Sequence, residues 1–347
     1  MIRKIKWLLT ISTVVLFAFI SANSGIAFAS NNRELLFEQP STQFSLDLAK
    51  LSLALSSAAY GDTSATIEKL LTSYGFTNDS IYDKDSYQKS SARDTDLAGY
   101  SFAHKTIQCG DRDFTLIAVV VRGTSGESEW ISNFNINNSG SSPDVHEGFQ
   151  KAEKALLSDL NAYVQALHCS PSSTKFLITG HSRGAAVANL LAAELSEGET
   201  LAPRTNIYGY TFATPNVAKI DPERYDLNIF NAVNPADIVT EIPLETWGYG
   251  KYGVTYSLPE KGQIDAADLA SNQKVLIQFA SMAPTVEDFN KIKPSFLSER
   301  AALIPTGDSS THAPEVYMHQ LDQINPEQLS KKIFDLQLEL LPDTNYA

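Results

Sequence analysis

Near the middle of the chain, Gly180-His181-Ser182-Arg183-Gly184 has the residue types and spacing that suit nucleophilic chemistry. The apolar run before it, Phe176-Leu177-Ile178-Thr179, predicts a strand, and the Ala-rich run after it, 185–191, predicts a helix. A serine on so tight a strand-to-helix turn is held in strained backbone geometry. Side chains two positions to either side would collide with the neighbouring elements, so the G-x-S-x-G pattern needs both glycines. The pattern alone also fits an ordinary glycine-lined turn; its placement between strand and helix is what favours a nucleophilic Ser182. A serine hydroxyl at its free pKa is a poor nucleophile, so it needs a base, and the base needs an orienting carboxylate.

Six histidines compete for the role of base. His104 falls in a predicted strand, His146 begins a long helix, His168 ends it and His181 lies inside the turn, so these four read as packing or capping residues. On strand–turn–helix scaffolds with this motif the chain order is Ser, acid, His, which leaves His312 and His319. His312 is favoured because Thr311-His312-Ala313-Pro314 is a loop entering a helix, where an imidazole can project over a sheet. His319 falls two turns into that helix. The favoured acid is Asp237, just beyond a strand that stops at Asn234-Pro235; its alternative role is the capping of a turn. Asp221 and Asp226 read as surface residues preceding that strand, and Asp265 and Asp268 lie in a polar, helix-like stretch. An oxyanion hole needs two donors. The backbone N–H of Arg183 is one; Thr124, directly after Arg122-Gly123, offers an N–H and a hydroxyl as the other.

Those residues must be carried by a scaffold, and its elements are legible as periodicity. Residues 43–60 and 64–74 read as helices, the second stopped by Gly75. Residues 97–107 and 114–121 flank Cys109-Gly110-Asp111-Arg112 as a hairpin, and FTLIAVVV at 114–121 is apolar enough for a strand buried on both faces. A long amphipathic helix at 147–167 follows, then strand 175–179, helix 183–197, and strands 206–212 and 228–233. Strands alternating with helices predict an α/β fold with a mostly parallel central sheet flanked by helices, in one domain over residues 30–347. In such sheets chemistry collects at the C-terminal ends of the strands.

Composition narrows the partners. With 43% hydrophobic and 19% charged residues the chain is globular, which excludes collagen-like, coiled-coil and wholly disordered classes. A net charge of −13 makes nucleic acid a poor partner. Arg3, Lys4 and Lys6 precede an apolar stretch at 7–20 and a segment ending Ala27-Phe28-Ala29, the layout of a secretory signal over residues 1–29 cleaved after Ala29. The mature protein would be secreted or periplasmic and more acidic still. An oxidising destination, with Cys109 and Cys169 each five or six residues before a strand, predicts a disulfide between these two, the only cysteines.

Several blocks in one order, between about Phe44 and Leu321, give the chain a resemblance to the class 3, fungal-type lipases of the α/β-hydrolase fold. They are FSLDLAKLSLALSSAAY, VVVRGT with Trp130 downstream, Val145-His146-Glu147-Gly148-Phe149, GHSRG, YTFATP at 210–215, NPADIV at 234–239 and HAPEVY at 312–317. The resemblance implies Ser182, Asp237 and His312 as triad, with Thr124 and Arg183 as oxyanion hole. It also implies a carboxylic ester hydrolase acting on lipid or small ester substrates without metal or organic cofactor. Two features depart from the pattern. Arg183 and Ala185 replace Leu and Gly of GHSLGGA, and residues 125–144, where the family keeps its lid, are rich in Ser, Asn and Gly, which argues against a strongly lipophilic lid. The expectation is a secreted triacylglycerol lipase or carboxylesterase. Phospholipase A is the alternative with the same chemistry, and an inactive lipid-binding or adhesion protein the alternative from another class.

Overall fold

The computed structural model describes residues 35–61, 63–77, 97–123, 136, 144–221, 224–259, 263–292 and 311–341. Eight strands occur among them: β1 (Tyr100–Cys109), β2 (Arg112–Val121), β3 (Thr174–His181), β4 (Ile207–Phe212), β5 (Ala218–Lys219), β6 (Ile229–Val233), β7 (Tyr249–Gly250) and β8 (Val254–Ser257). Six form one sheet in the order β1-β2-β3-β4-β6-β8; β5 and β7 pair separately. Only the β1–β2 hairpin is antiparallel in the large sheet, and β2 through β8 run parallel. This is the mostly parallel α/β sheet that the alternating pattern predicts.

Seven α-helices occur among the described residues: α1 (Leu46–Ala58), α2 (Ala65–Ser73), α3 (Glu147–Leu167), α4 (Arg183–Gly198), α5 (Ala266–Met282), α6 (Pro314–Gln323) and α7 (Pro326–Leu340). The pleat sends successive side chains of a strand to opposite faces. On β2, Leu116, Ala118 and Val120 therefore enter a core roofed by α1, α2, α6 and α7. Ile117, Val119 and Val121 enter a second core roofed by α3 and α4. A strand packed on both faces has to be continuously apolar, which accounts for FTLIAVVV.

The caps explain where the helices begin and end. Ser45 accepts from Leu48 N–H at the start of α1, and His146 accepts from Phe149 N–H at the start of α3. His168 ends α3 in the left-handed conformation. The packing and capping roles expected of His104, His146 and His168 hold, since His104 Nδ1 meets the Tyr163 hydroxyl at 2.9 Å.

Three expectations need correction. The hairpin turn is only Gly110-Asp111, because Cys109 and Arg112 are themselves paired strand residues. This bears on the second correction: Cys109 and Cys169 are not bridged. Cys109 Sγ faces Phe37 O at 3.5 Å and Cys169 Sγ faces Leu167 O at 3.6 Å. The parallel neighbour of β3 is β2, whereas Cys109 belongs to β1, one strand further out. Two strand spacings are about 10 Å, beyond the roughly 7 Å Cα separation a disulfide tolerates. Asp226 is the third. It is buried, held by Arg224 Nε at 2.7 Å, and so is a structural carboxylate rather than a surface one.

The leader expected over residues 1–29 lies outside the described residues. No described helix is long and apolar enough to cross a membrane.

Candidate active site

The C-terminal ends of β2, β3, β4 and β6 lie side by side; Ser182 and Asp237 sit in the turns leaving β3 and β6, and His312 in the segment entering α6. Because β3 ends at His181 and α4 begins at Arg183, Ser182 alone makes the reversal, at φ 59° and ψ −130°. For a residue with a side chain such backbone costs on the order of 1–3 kcal/mol and persists only where the surroundings over-determine it. Here Ser182 N–H donates to Phe212 O of β4 at 3.0 Å, while Ser182 O accepts the first bond of α4 from Ala186 N–H. The glycines are needed for the reason read from the motif. A Cβ on Gly180 would lie 2.3 Å from Gly184 O, and one on Gly184 would lie 2.3 Å from Val121 O.

His312 is brought to that serine from 130 residues away. Its Nε2 accepts from Ser182 Oγ–H at 2.9 Å, and its Nδ1–H donates to Asp237 Oδ2 at 2.7 Å. Asp237 is 1% exposed and firmly oriented. Oδ1 accepts from Val239 N–H at 3.1 Å, so the turn-capping role is real and coexists with the bond to His312. Oδ2 accepts a second bond, from the Tyr317 hydroxyl at 3.0 Å, and that hydroxyl accepts from Asn234 N–H. Burial, and then the charge of Asp237, push the Tyr317 phenol well above its ordinary pKa, so it remains a donor. Asn234 Nδ2 holds Thr311 O at 3.2 Å and Thr311 Oγ1 donates to Ala236 O at 3.0 Å, which ties the His312 loop to the Asp237 loop. Lys251 braces the far side of that loop, donating to Thr240 O at 2.8 Å and Asn216 Oδ1 at 2.6 Å; burial pulls its pKa down to about 8.

The other expected positions divide. Arg183 opens α4, so its N–H belongs to the first-turn amides that have no acceptor within the helix. Its guanidinium is buried beneath, reaching Leu97 O and Gly148 O at 3.4 Å with the Phe149 ring 5.7 Å away, and it does not crowd the serine. Thr124 lies outside the described residues; Gly123 before it is described. His319 is not brought to the site: it is on α6, bonded to the exposed Gln323. Of residues 125–144, Ile136 is buried against Trp247, Phe279 and Phe289. Tyr317, Asn234 and Lys251 were not identified from sequence, because nothing in their local pattern separates them from ordinary core and loop residues. No described group of three or more His, Cys, Asp or Glu residues is placed to hold a metal.

A strained serine after a parallel strand, bonded to an imidazole that is bonded to a buried carboxylate, has the geometry of a nucleophile, base and acid on an α/β-hydrolase-type fold. Residues 118–247 match the family model described as lipase (class 3). A lipase of Rhizomucor miehei is 29% identical over 175 residues, 47% of this chain and 48% of that one. The secreted mono- and diacylglycerol lipase 1 of Fusarium solani is 37% identical over 83 residues, 23% of this chain and 25% of that one. The chain thus spans about half the length of the first curated relative and a quarter of the second. The solved Rhizomucor miehei triacylglyceride lipase superposes with a TM-score of 0.45 at 23% identity, over 62% of this chain and 80% of that one. Over residues 118–247 the chain is therefore similar to the class 3 lipases.

Proposed function

We propose that this chain is an exported serine hydrolase that cleaves carboxylic esters of lipids through an acyl-enzyme on Ser182. The observation that carries the reading is the unbroken relay from Ser182 Oγ through His312 to Asp237, at 2.9 and 2.7 Å. In the reaction, Ser182 Oγ attacks the ester carbonyl carbon as its proton passes to His312 Nε2. The alcohol leaves with that proton, and water, activated by the same nitrogen, then releases the acid. Asp237 holds the imidazole with its proton on Nδ1 and stabilises the imidazolium. The N–H of Arg183 and the N–H or hydroxyl of Thr124 receive the oxyanion. The match to class 3 lipases and the names of both curated relatives favour lipid esters as substrate.

A fluorophosphonate probe tests the chemistry. Label is expected on Ser182 and absent from Ser182→Ala; folded protein that takes no label removes the hydrolase reading and leaves a binding protein on this fold. Turnover of p-nitrophenyl esters of graded length, beside triolein and phosphatidylcholine, then sorts neutral lipase from phospholipase. For export, the N-terminus of protein recovered outside the cell is expected at Ser30.

A further inference from the structure

His181 stands beside the nucleophile and was read as a packing residue, yet both its ring nitrogens are engaged. Nε2 is 2.8 Å from His312 O, and Nδ1 is 2.8 Å from the Tyr60 hydroxyl. The ring is 1% exposed and its centroid lies 4.9 Å from that of His312. Burial, and next the adjacent His312, hold its pKa well below the ordinary histidine value, so it is neutral and carries one N–H. A carbonyl oxygen can only accept, so that proton is on Nε2. Nδ1 must then accept, and Tyr60 O–H donates to it. The His312 carbonyl thus sets the tautomer, and Tyr60 holds the ring by its other nitrogen in the orientation that keeps Nε2–H on the His312 main chain. The same hydroxyl also packs on the loop leaving β2, since a Cβ on Gly123 would lie 1.9 Å from it.

We propose that Tyr60 and His181 are positioning residues for the base: the chain Tyr60 O–H to His181 Nδ1, and His181 Nε2–H to His312 O, fixes where His312 stands relative to Ser182. This rests on the hydrolase reading above. Without the phenol, Nδ1 is left buried without its donor and the ring is held at one nitrogen only, so it can swing and the His312 main chain loses its fixed contact. A glutamine at 181 keeps the device, because its amide offers one acceptor and one donor at nearly the spacing of the two ring nitrogens; a phenylalanine fills the space and offers neither.

The test compares the full chain with Tyr60→Phe, His181→Gln and His181→Phe, each checked for native near-ultraviolet circular dichroism. The readouts are kcat and KM on p-nitrophenyl butyrate and the rate of fluorophosphonate labelling. Tyr60→Phe and His181→Phe are expected to lose about tenfold or more in kcat and in labelling rate with KM nearly unchanged, and His181→Gln to stay within about threefold of the parent. Tyr60→Phe with parental kcat, a loss confined to KM, or His181→Gln as impaired as His181→Phe would overturn the proposal. If His181→Phe does not fold, the contrast between Tyr60→Phe and His181→Gln decides. A parent chain that takes no label sinks the hydrolase reading and this proposal together, whereas a labelled parent with indifferent variants sinks the positioning roles alone.

Discussion

Asp237 has two separable duties, which makes it informative to alter. Its Oδ1 caps the turn through Val239 N–H, and its Oδ2 holds His312 Nδ1–H and the Tyr317 hydroxyl. In Asp237→Asn the shape and the cap survive, but an amide nitrogen facing His312 donates where an acceptor is needed. The imidazole then turns to the tautomer with its proton on Nε2, which cannot take the proton of Ser182. The expected outcome is a kcat loss of about 10⁴-fold with KM nearly unchanged, read by steady-state kinetics on a p-nitrophenyl ester. Tyr317→Phe removes a donor to the same carboxylate and the acceptor of Asn234 N–H, leaving that buried amide unpaired. A stability loss of about 1–3 kcal/mol is expected in urea unfolding, with a smaller fall in kcat than for Asp237→Asn. Gly184→Ala is the most severe of the residue-scale changes. The added methyl would stand 2.3 Å from the backbone oxygen of Val121, which cannot yield without moving β2, so soluble folded protein is expected to be lost on expression.

The packing of α3 against α4 carries a charged residue that the site does not use. Glu153 of α3 is 2% exposed, its Oε1 has no hydrogen-bond partner among the described residues, and Oε2 lies 3.5 Å from Lys154, whose ammonium is nearer to Glu194 of α4. Burial raises the Glu153 pKa to about 7, against the attraction of Lys154. The folded pKa lies above the unfolded one, so the native state keeps a proton between pH 4.5 and 7 that the unfolded chain has released. Stability is highest below that window and is lost as pH rises through it. Glu153→Gln is expected to be more stable than the parent at pH 8, by on the order of 3 kcal/mol, and to flatten that part of the stability profile in chemical unfolding across pH. Sequence gives no sign of this, because Glu153 sits among polar neighbours on an amphipathic helix and its burial depends on how α4 lies across it. The same limit explains the other differences. Long elements with strong periodicity, β2 and α3 above all, were legible because one stripe or two faces must be apolar along their whole length. β8 is four residues long and α5 buries only Asn272 and Phe279, so neither leaves a period to read. Ser182, Asp237 and His312 were legible because each sits where a strand or helix must end. Tyr60, His181 and Tyr317 act through contacts between elements, which no local pattern records.

The whole molecule adds a long-range field to these local arrangements. With 40 acidic and 27 basic side chains the chain carries a net charge of −13, and removal of residues 1–29 would take away three positive charges and no negative ones. A surface of that sign is repelled by anionic lipid and indifferent to uncharged lipid, and it would help expel the fatty-acid anions that the proposed ester cleavage releases. The repulsion acts over a Debye length, about 30 Å at 0.01 M salt and about 3 Å at 1 M, so salt switches it off while the contacts inside the site are screened far less. If ester cleavage occurs at a lipid surface, mixing phosphatidylglycerol into a triolein emulsion should slow the initial rate several-fold at low salt, with most of the loss recovered near 1 M salt. The matching experiment with phosphatidylcholine, which adds headgroups without net charge, is expected to show no such salt dependence. A soluble p-nitrophenyl ester serves as the control, because its turnover reports the relay at Ser182 alone and should change little across the same salt range. Equal salt dependence on all three substrates would place the effect in the site rather than in the field of the whole protein.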